Sequence, residues 1–184
     1  MPDTTMNPWT PTTDPRTLRR LGKLQEELGE LTTAVAASIE NPYSHRKAFT
    51  DETADVLAQV ELAVAQFDLP RDVMAMRMSE SLHMSLNPVG RGTTPSHHTS
   101  LLRILGVLQA VVARCVIQGI EEIDPSSGKT NRVRFIEAVA DTLTQVNKSI
   151  GHFSLDYNAI RLRVTEKKRQ MAEWEALCTG APAP

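Results

Sequence analysis

LGKLQEELGEL, residues 21–31, decides the reading of this chain. Leu21, Leu24, Leu28 and Leu31, continued by Val35, recur at spacings of three and four, the pattern of one buried stripe on an α-helix. Asp14 is placed to cap that helix and Pro15 to take its first position, so a helix is predicted from Pro15 to about Glu40. Glu27 and Glu30 flank the stripe and, three residues apart, share a side of the helix. A second stretch, DETADVLAQV (51–60), repeats the arrangement: Glu52 and Asp55 stand just before Val56 and Leu57. NPYSH (41–45) breaks the chain between them. The second helix is predicted over roughly residues 46–67, with Phe49, Val56, Val60, Ala63 and Phe67 as its apolar edge. If the two helices pack antiparallel, four carboxylates converge. Such a cluster repels itself unless a cation neutralises it, and an all-oxygen set of hard ligands suits Mg²⁺ or Mn²⁺. One glutamate pair reads most simply as a solvated face, but two pairs at the core margin of consecutive helices point to a metal site.

The totals set the frame. A chain of 184 residues buries an ordinary core as one domain or two small ones. Its 41% apolar and 23% charged residues are those of a soluble globular protein. A net charge of −2 exerts no global pull on nucleic acid or anionic membrane, so anion binding has to come from a local cluster. Cys115 and Cys178 lie far apart, without CxxC spacing or histidine partners, which argues against a disulfide framework or zinc and fits a reducing cytoplasm. The N-terminal residues lack the basic-then-apolar order of a signal peptide. The most apolar run, 104–117, is too short and too polar for a membrane span.

Residues 1–15 are rich in Pro and Thr and read as an extended or flexible arm, in which Trp9 is either an anchor on the bundle or a lid that stacks on a base. After Pro70 a third helix carries Met74, Met76, Met78 and Met84, taken as core packing. Residues 87–99 form a linker, and its adjacent His97 and His98 do not share a helix face. The pattern then starts again. Leu18, Arg19, Leu21, Gly22, Leu24 and Gln25 reappear as Leu102, Arg103, Leu105, Gly106, Leu108 and Gln109. Ala54, Asp55, Leu57, Gln59, Val60 and Phe67 reappear as Ala140, Asp141, Leu143, Gln145, Val146 and Phe153, and Leu69, Arg77 and Glu80 as Leu155, Arg163 and Glu166. The chain thus reads as an all-α tandem repeat of a three-helix unit: repeat one over 16–86, repeat two over 100–177, and a tail over 178–184. The copies differ where the chemistry lies. Glu26, Glu27 and Glu30 become Ala110, Val111 and Arg114, and Glu52 becomes Ala138; Asp141 alone keeps its carboxylate. The second copy carries instead the loop QGIEEIDPSSGKTNR (118–132) and the basic run EKKRQ (166–170). That run is either a set of anion contacts or a solvated helix end.

The acidic pairs in EELGE and DETAD, with the loop VARCVIQGIEEIDPSSGKTNR, resemble the all-α nucleoside triphosphate pyrophosphohydrolases, in particular phage-type MazG-like proteins. The resemblance covers roughly residues 18–86 and 101–177. It implies Mg²⁺-dependent hydrolysis between the α and β phosphates of a nucleoside triphosphate, with a deoxynucleotide favoured, giving a monophosphate and pyrophosphate. By position, Glu27, Glu30, Glu52 and Asp55 become the metal ligands. Glu26 is the first choice as general base and Glu27 the second. Lys167, Lys168 and Arg169 are assigned to the leaving pyrophosphate, Gln118 and Asn131 to the base, and Lys129 to substrate. Because the family unit is a dimer or tetramer, the two repeats are expected to pack as an internal pseudo-dimer with one working site, and further homodimerisation stays open. Di-iron carboxylate proteins, the rival enzyme class, need Glu-x-x-His pairs; His45, His83 and His152 do not follow a glutamate at that spacing. The other alternative is a nucleotide sensor or helical scaffold without activity.

Overall fold

A computed structural model describes residues 10–86 and 96–179; Trp9 lies outside them. Among the described residues six helices form the bundle: α1 (Pro15–Glu40), α2 (Arg46–Gln66), α3 (Arg71–Leu86), α4 (His97–Gln118), α5 (Asn131–His152) and α6 (Tyr157–Thr179). Asp14 caps α1 as its side chain implies, accepting from the Thr17 N–H at 2.7 Å, and Pro15 opens the helix. Ser96 and Thr130 cap α4 and α5 in the same way. Since α4 begins at His97, the last residues of the expected linker are already helical.

The apolar stripe of α1 is fully buried. α1 packs on α2, α4 on α5, and α1 on α4. The third helix of each half then crosses over: α3 lies against α5 and α6 against α2. The two crossings are held alike. Arg77 on α3 forks onto Asp141 of α5 at 3.2 and 3.1 Å. Arg163 on α6 forks onto Asp55 of α2 at 2.9 and 2.7 Å. These are the residues that the repeat aligns with one another. The turns into α3 and α6 also match: Asp68 and Ser154 adopt left-handed φ of 47° and 49°, and Leu69 and Leu155 donate to the carbonyls of Val64 and Ile150. One apolar core spans both halves, joined by Phe49 against Phe153 and Phe67 against Phe135.

Three features depart from expectation. Met74 is buried but Met76 is exposed, because residues two apart point to opposite sides of a helix. And Thr12, in the arm, is pinned: its hydroxyl donates to the Cys115 carbonyl at 2.7 Å and its N–H to the Val116 carbonyl at 3.1 Å. α4 is long and apolar enough, by length and composition alone, to cross a membrane, and the sequence reading underestimated it by considering only residues 104–117. Here Leu101, Leu105, Leu108, Val111, Val112 and Cys115 turn into the core. Both Cys115 and Cys178 are free thiols.

The two inter-helix loops differ most. In the second half the chain leaves the helix at Gln118, and residues 119–130 wrap around Asp124, which is fully buried. Burial raises its pKa, but hydrogen bonds from Ser126 and Ser127 and the charge of Arg134 hold it well below the usual carboxylate range. Gly119, at φ 92°, sits where an added Cβ would meet the Thr10 carbonyl oxygen at 2.6 Å. Gly119→Ala therefore has both a conformational and a steric cost, and denaturant unfolding is expected to show a loss of about 1–3 kcal/mol.

Candidate metal centre

Glu27 on α1 and Glu52 and Asp55 on α2 converge, each offering a carboxylate oxygen within 4.8 Å of the others. Glu27 sits one turn from Leu24 and Leu31 and beside Leu28, so the stripe that builds the core carries its carboxylate inward, to 0% exposure. Asp55, immediately before Val56, is 1% exposed. Glu30 lies on the exposed rim of this group. Its pKa is raised by loss of hydration and then by the negative charge of Glu27. Glu52 is pushed up to about 7, first by burial and then by the charges of Glu30, Asp55 and Glu27. Glu27 Oε2 and Glu52 Oε2 are buried without a hydrogen-bond partner. Buried carboxylate oxygens left in this state are costly, and they are the donor set that a hard divalent cation takes.

Three cations of the chain already touch the cluster. Lys167 Nζ lies 2.9 Å from both Glu27 Oε1 and Asp55 Oδ2. Lys23 Nζ lies 2.9 Å from Glu27 Oε1 and 2.8 Å from Glu26 Oε1. Arg163 takes Asp55 through both oxygens. Burial works against the charge on Lys167, but its bonds to Asp55 and Glu27 hold its pKa above the ordinary lysine value. Sequence reasoning grouped Lys167 with its basic neighbours and gave no role to Lys23 or Arg163. The one signal for Arg163 was its recurrence, with Arg77, in step with Asp55 and Asp141.

α6 packs on α2 and meets α1 through ion pairs, Lys167 with Glu27 and Glu175 with Arg20. Between α1 and α6 a cleft of about 390 Å³ opens beside the carboxylates, lined by Lys23, Glu26, Lys167, Gln170, Met171 and Trp174. Glu27, Glu52 and Asp55 line neither this cleft nor a wider cavity of about 500 Å³ on the α2–α5–α6 side; only the first is walled by cations that touch them, Lys23 and Lys167. The other expected substrate contacts are spread elsewhere. Lys168 pairs with Glu61 at 2.7 Å and Lys129 with Glu137 at 2.6 Å, both at the surface. Arg169 is held by Glu166 and Glu173 of its own helix. Gln118 and Asn131 are buried, and the Asn131 amide donates to the Gly119 carbonyl at 2.8 Å, closing the α4–α5 loop. His97 and His98 pack on the rings of His152 and Phe153.

The raised Glu52 has a direct consequence for the protein in chelator. A carboxyl whose pKa is raised in the folded chain favours folding while protonated. That contribution is full below the unfolded value, near 4.5, and is lost as pH rises through about 7. Glu52→Gln is therefore expected to match wild type in melting temperature near pH 5 and to exceed it by pH 8. A difference independent of pH would contradict this electrostatic picture.

No protein-family model, curated protein or solved structure matches the chain.

Proposed function

We propose that the chain is a Mg²⁺-dependent nucleoside triphosphate pyrophosphohydrolase of MazG-like type. The observation that carries this reading is the convergence of Glu27, Glu52 and Asp55, with buried unpartnered oxygens, directly behind Lys23 and Lys167, which line the cleft between α1 and α6. Glu27, Glu52 and Asp55 would hold a divalent ion, Mg²⁺ or Mn²⁺, with Glu30 at the rim of the cluster. When bound, such an ion would supply Lewis acidity toward phosphate oxygens and water. The chain's own groups do the rest. Lys23 and Lys167 neutralise the polyphosphate. Glu26, half-exposed on the cleft wall beside Lys23, accepts the water's proton, with Glu27 as second candidate. The water oxygen bonds to the α-phosphorus as the α–β anhydride bond breaks, and pyrophosphate leaves with the bridging oxygen. Trp174, partly exposed in the cleft, offers a flat face to a nucleobase.

We also read the bundle as an internal pseudo-dimer with a single working site. The reciprocal crossings of α3 and α6, and the matched pairs Arg77–Asp141 and Arg163–Asp55, support this. At the positions aligned with Lys23, Glu26, Glu27, Glu30, Glu52 and Lys167, the other half carries Val107, Ala110, Val111, Arg114, Ala138 and Ser81. A deoxynucleotide as preferred substrate, a phage source and a host-cytoplasmic setting follow from the resemblance. One observation favours the rival reading of a non-catalytic nucleotide sensor: both oxygens of Asp55 already have cationic partners.

Resolving the products of each dNTP and NTP after incubation with the protein and Mg²⁺ tests the proposal. The expected products are a nucleoside monophosphate and pyrophosphate. A diphosphate with inorganic phosphate would contradict the assigned bond, and binding without turnover would favour the sensor.

A further inference from the structure

The acidic cluster is neutralised in an unequal way. Asp55 Oδ1 accepts from Arg163 Nε at 2.9 Å, and Asp55 Oδ2 accepts from Arg163 Nη2 at 2.7 Å and from Lys167 Nζ at 2.9 Å. Asp55 Oδ2 thus accepts from both cations, and its second lone pair opens to a divalent ion only when one of them leaves. The two cations are not equally able to leave. Arg163 holds Asp55 by a planar fork, and the same fork recurs as Arg77–Asp141 in the half that has lost the other acids. A contact retained where no metal cluster exists serves helix packing. Lys167 has no such counterpart, since Ser81 occupies the aligned position. It bridges Glu27 Oε1 and Asp55 Oδ2 as a point charge on a flexible stem, and its side chain already lines the cleft between α1 and α6.

We propose that Lys167 is the resident counter-cation of this site: it occupies the Glu27–Asp55 edge until a divalent ion takes it, and is then displaced into the cleft to meet the ligand's phosphates. The inference rests on the metal-centre reading and adds a competition to it. One positive charge of the chain and the divalent ion exclude each other from one pair of carboxylates, and polyphosphate in the cleft favours the metal-bound arrangement by giving the ammonium a second anionic partner. Metal and polyphosphate binding are thereby coupled through a single positioning residue, and by linkage each strengthens the other.

Mn²⁺ titration followed by electron paramagnetic resonance, on the full chain in wild-type and Lys167→Ala forms, tests the proposal without reference to turnover. With a like charge removed from a few ångströms away, the variant is expected to bind Mn²⁺ at least about tenfold more tightly than wild type. Inorganic tripolyphosphate is expected to tighten Mn²⁺ binding to wild type and to have a much smaller effect on the variant. Lys167→Gln, close in length but uncharged, guards against a folding defect and should behave like the alanine form. Lys168→Ala, whose ammonium pairs with Glu61 at the surface, should match wild type. Equal or weaker Mn²⁺ binding by both Lys167 variants would overturn the competition and leave the metal centre standing. Absence of Mn²⁺ binding in every form would overturn the metal centre itself.

Discussion

Glu27→Ala is expected to abolish metal-dependent hydrolysis, lowering kcat/KM by more than about a hundredfold, since even outer partners of metal ligands are worth 10–100-fold. Glu27 is the acid of the cluster that no surface rearrangement can replace. It is fully buried, it faces both acids of α2, and it receives both Lys23 and Lys167 on a single oxygen. Glu27→Gln keeps the shape and removes the charge, which separates a lost ligand from a lost packing group. Steady-state pyrophosphate release and a melting curve on each variant check the prediction. The expected pattern is loss of activity in both forms with the Gln form still cooperatively folded. Glu30→Ala, on the exposed rim, should cost less than either. Activity retained in Glu27→Gln would remove Glu27 from the site.

The second large effect is on stability and concerns the crossing of α6 over α2. Arg163→Ala leaves Asp55, whose side chain is 2% exposed, with Lys167 as its remaining cation. Breaking a fully buried ion pair by removing one partner costs about 3–5 kcal/mol. The Arg163 side chain is 42% exposed, so solvent screening brings the expected loss to about 2–3 kcal/mol. For a domain of this size that is a fall of about 5–10 °C in Tm. Arg77→Ala removes the matching pair in the other half, where the Asp141 side chain is 22% exposed, and is expected to cost about 1 kcal/mol or less. Thermal unfolding in chelator checks both. An Arg77 effect equal to or larger than that of Arg163 would contradict the view that burial of the carboxylate sets the cost. Addition of Mg²⁺ should recover part of the Arg163→Ala loss, because Asp55 then regains a cation.

The helices were legible because burial leaves a periodic mark. The spacing of Leu21, Leu24, Leu28, Leu31 and Val35 marks one face of α1, Asp14–Pro15 its start, and NPYSH its end. Phe67 and Phe153, which recur in the sequence, are followed by turns of the same kind, in which Leu69 and Leu155 donate to the carbonyls of Val64 and Ile150. The convergence of Glu27 with Glu52 and Asp55 could be read from placement at the core margin, although the margin turned out to be the interior. What the sequence could not display is which helix crosses which. Lys167 and Arg163 meet the acids only because α6 lies on α2, the hairpin of the other half, and no local pattern encodes that partner. Gln118 and Asn131 misled for a related reason. Polar residues flanking a long loop read as ligand contacts, whereas both are buried here: the Asn131 amide donates to the Gly119 carbonyl and to Gln118 Oε1. The run EKKRQ was similarly mixed: helical rotation sends Lys167 to the acids and leaves Lys168 and Arg169 with surface glutamates.

A crystal of the protein soaked in Mn²⁺ and measured for anomalous scattering tests the central claim most directly. The account expects a peak bounded by carboxylate oxygens of Glu27, Glu52 and Asp55 at about 2.1 Å, as for a small hard divalent ion. It also expects the Lys167 ammonium to have moved off the Glu27–Asp55 edge. A well-ordered cluster with no peak, with Lys167 still bridging Glu27 and Asp55, would contradict the metal centre and the hydrolytic function built on it.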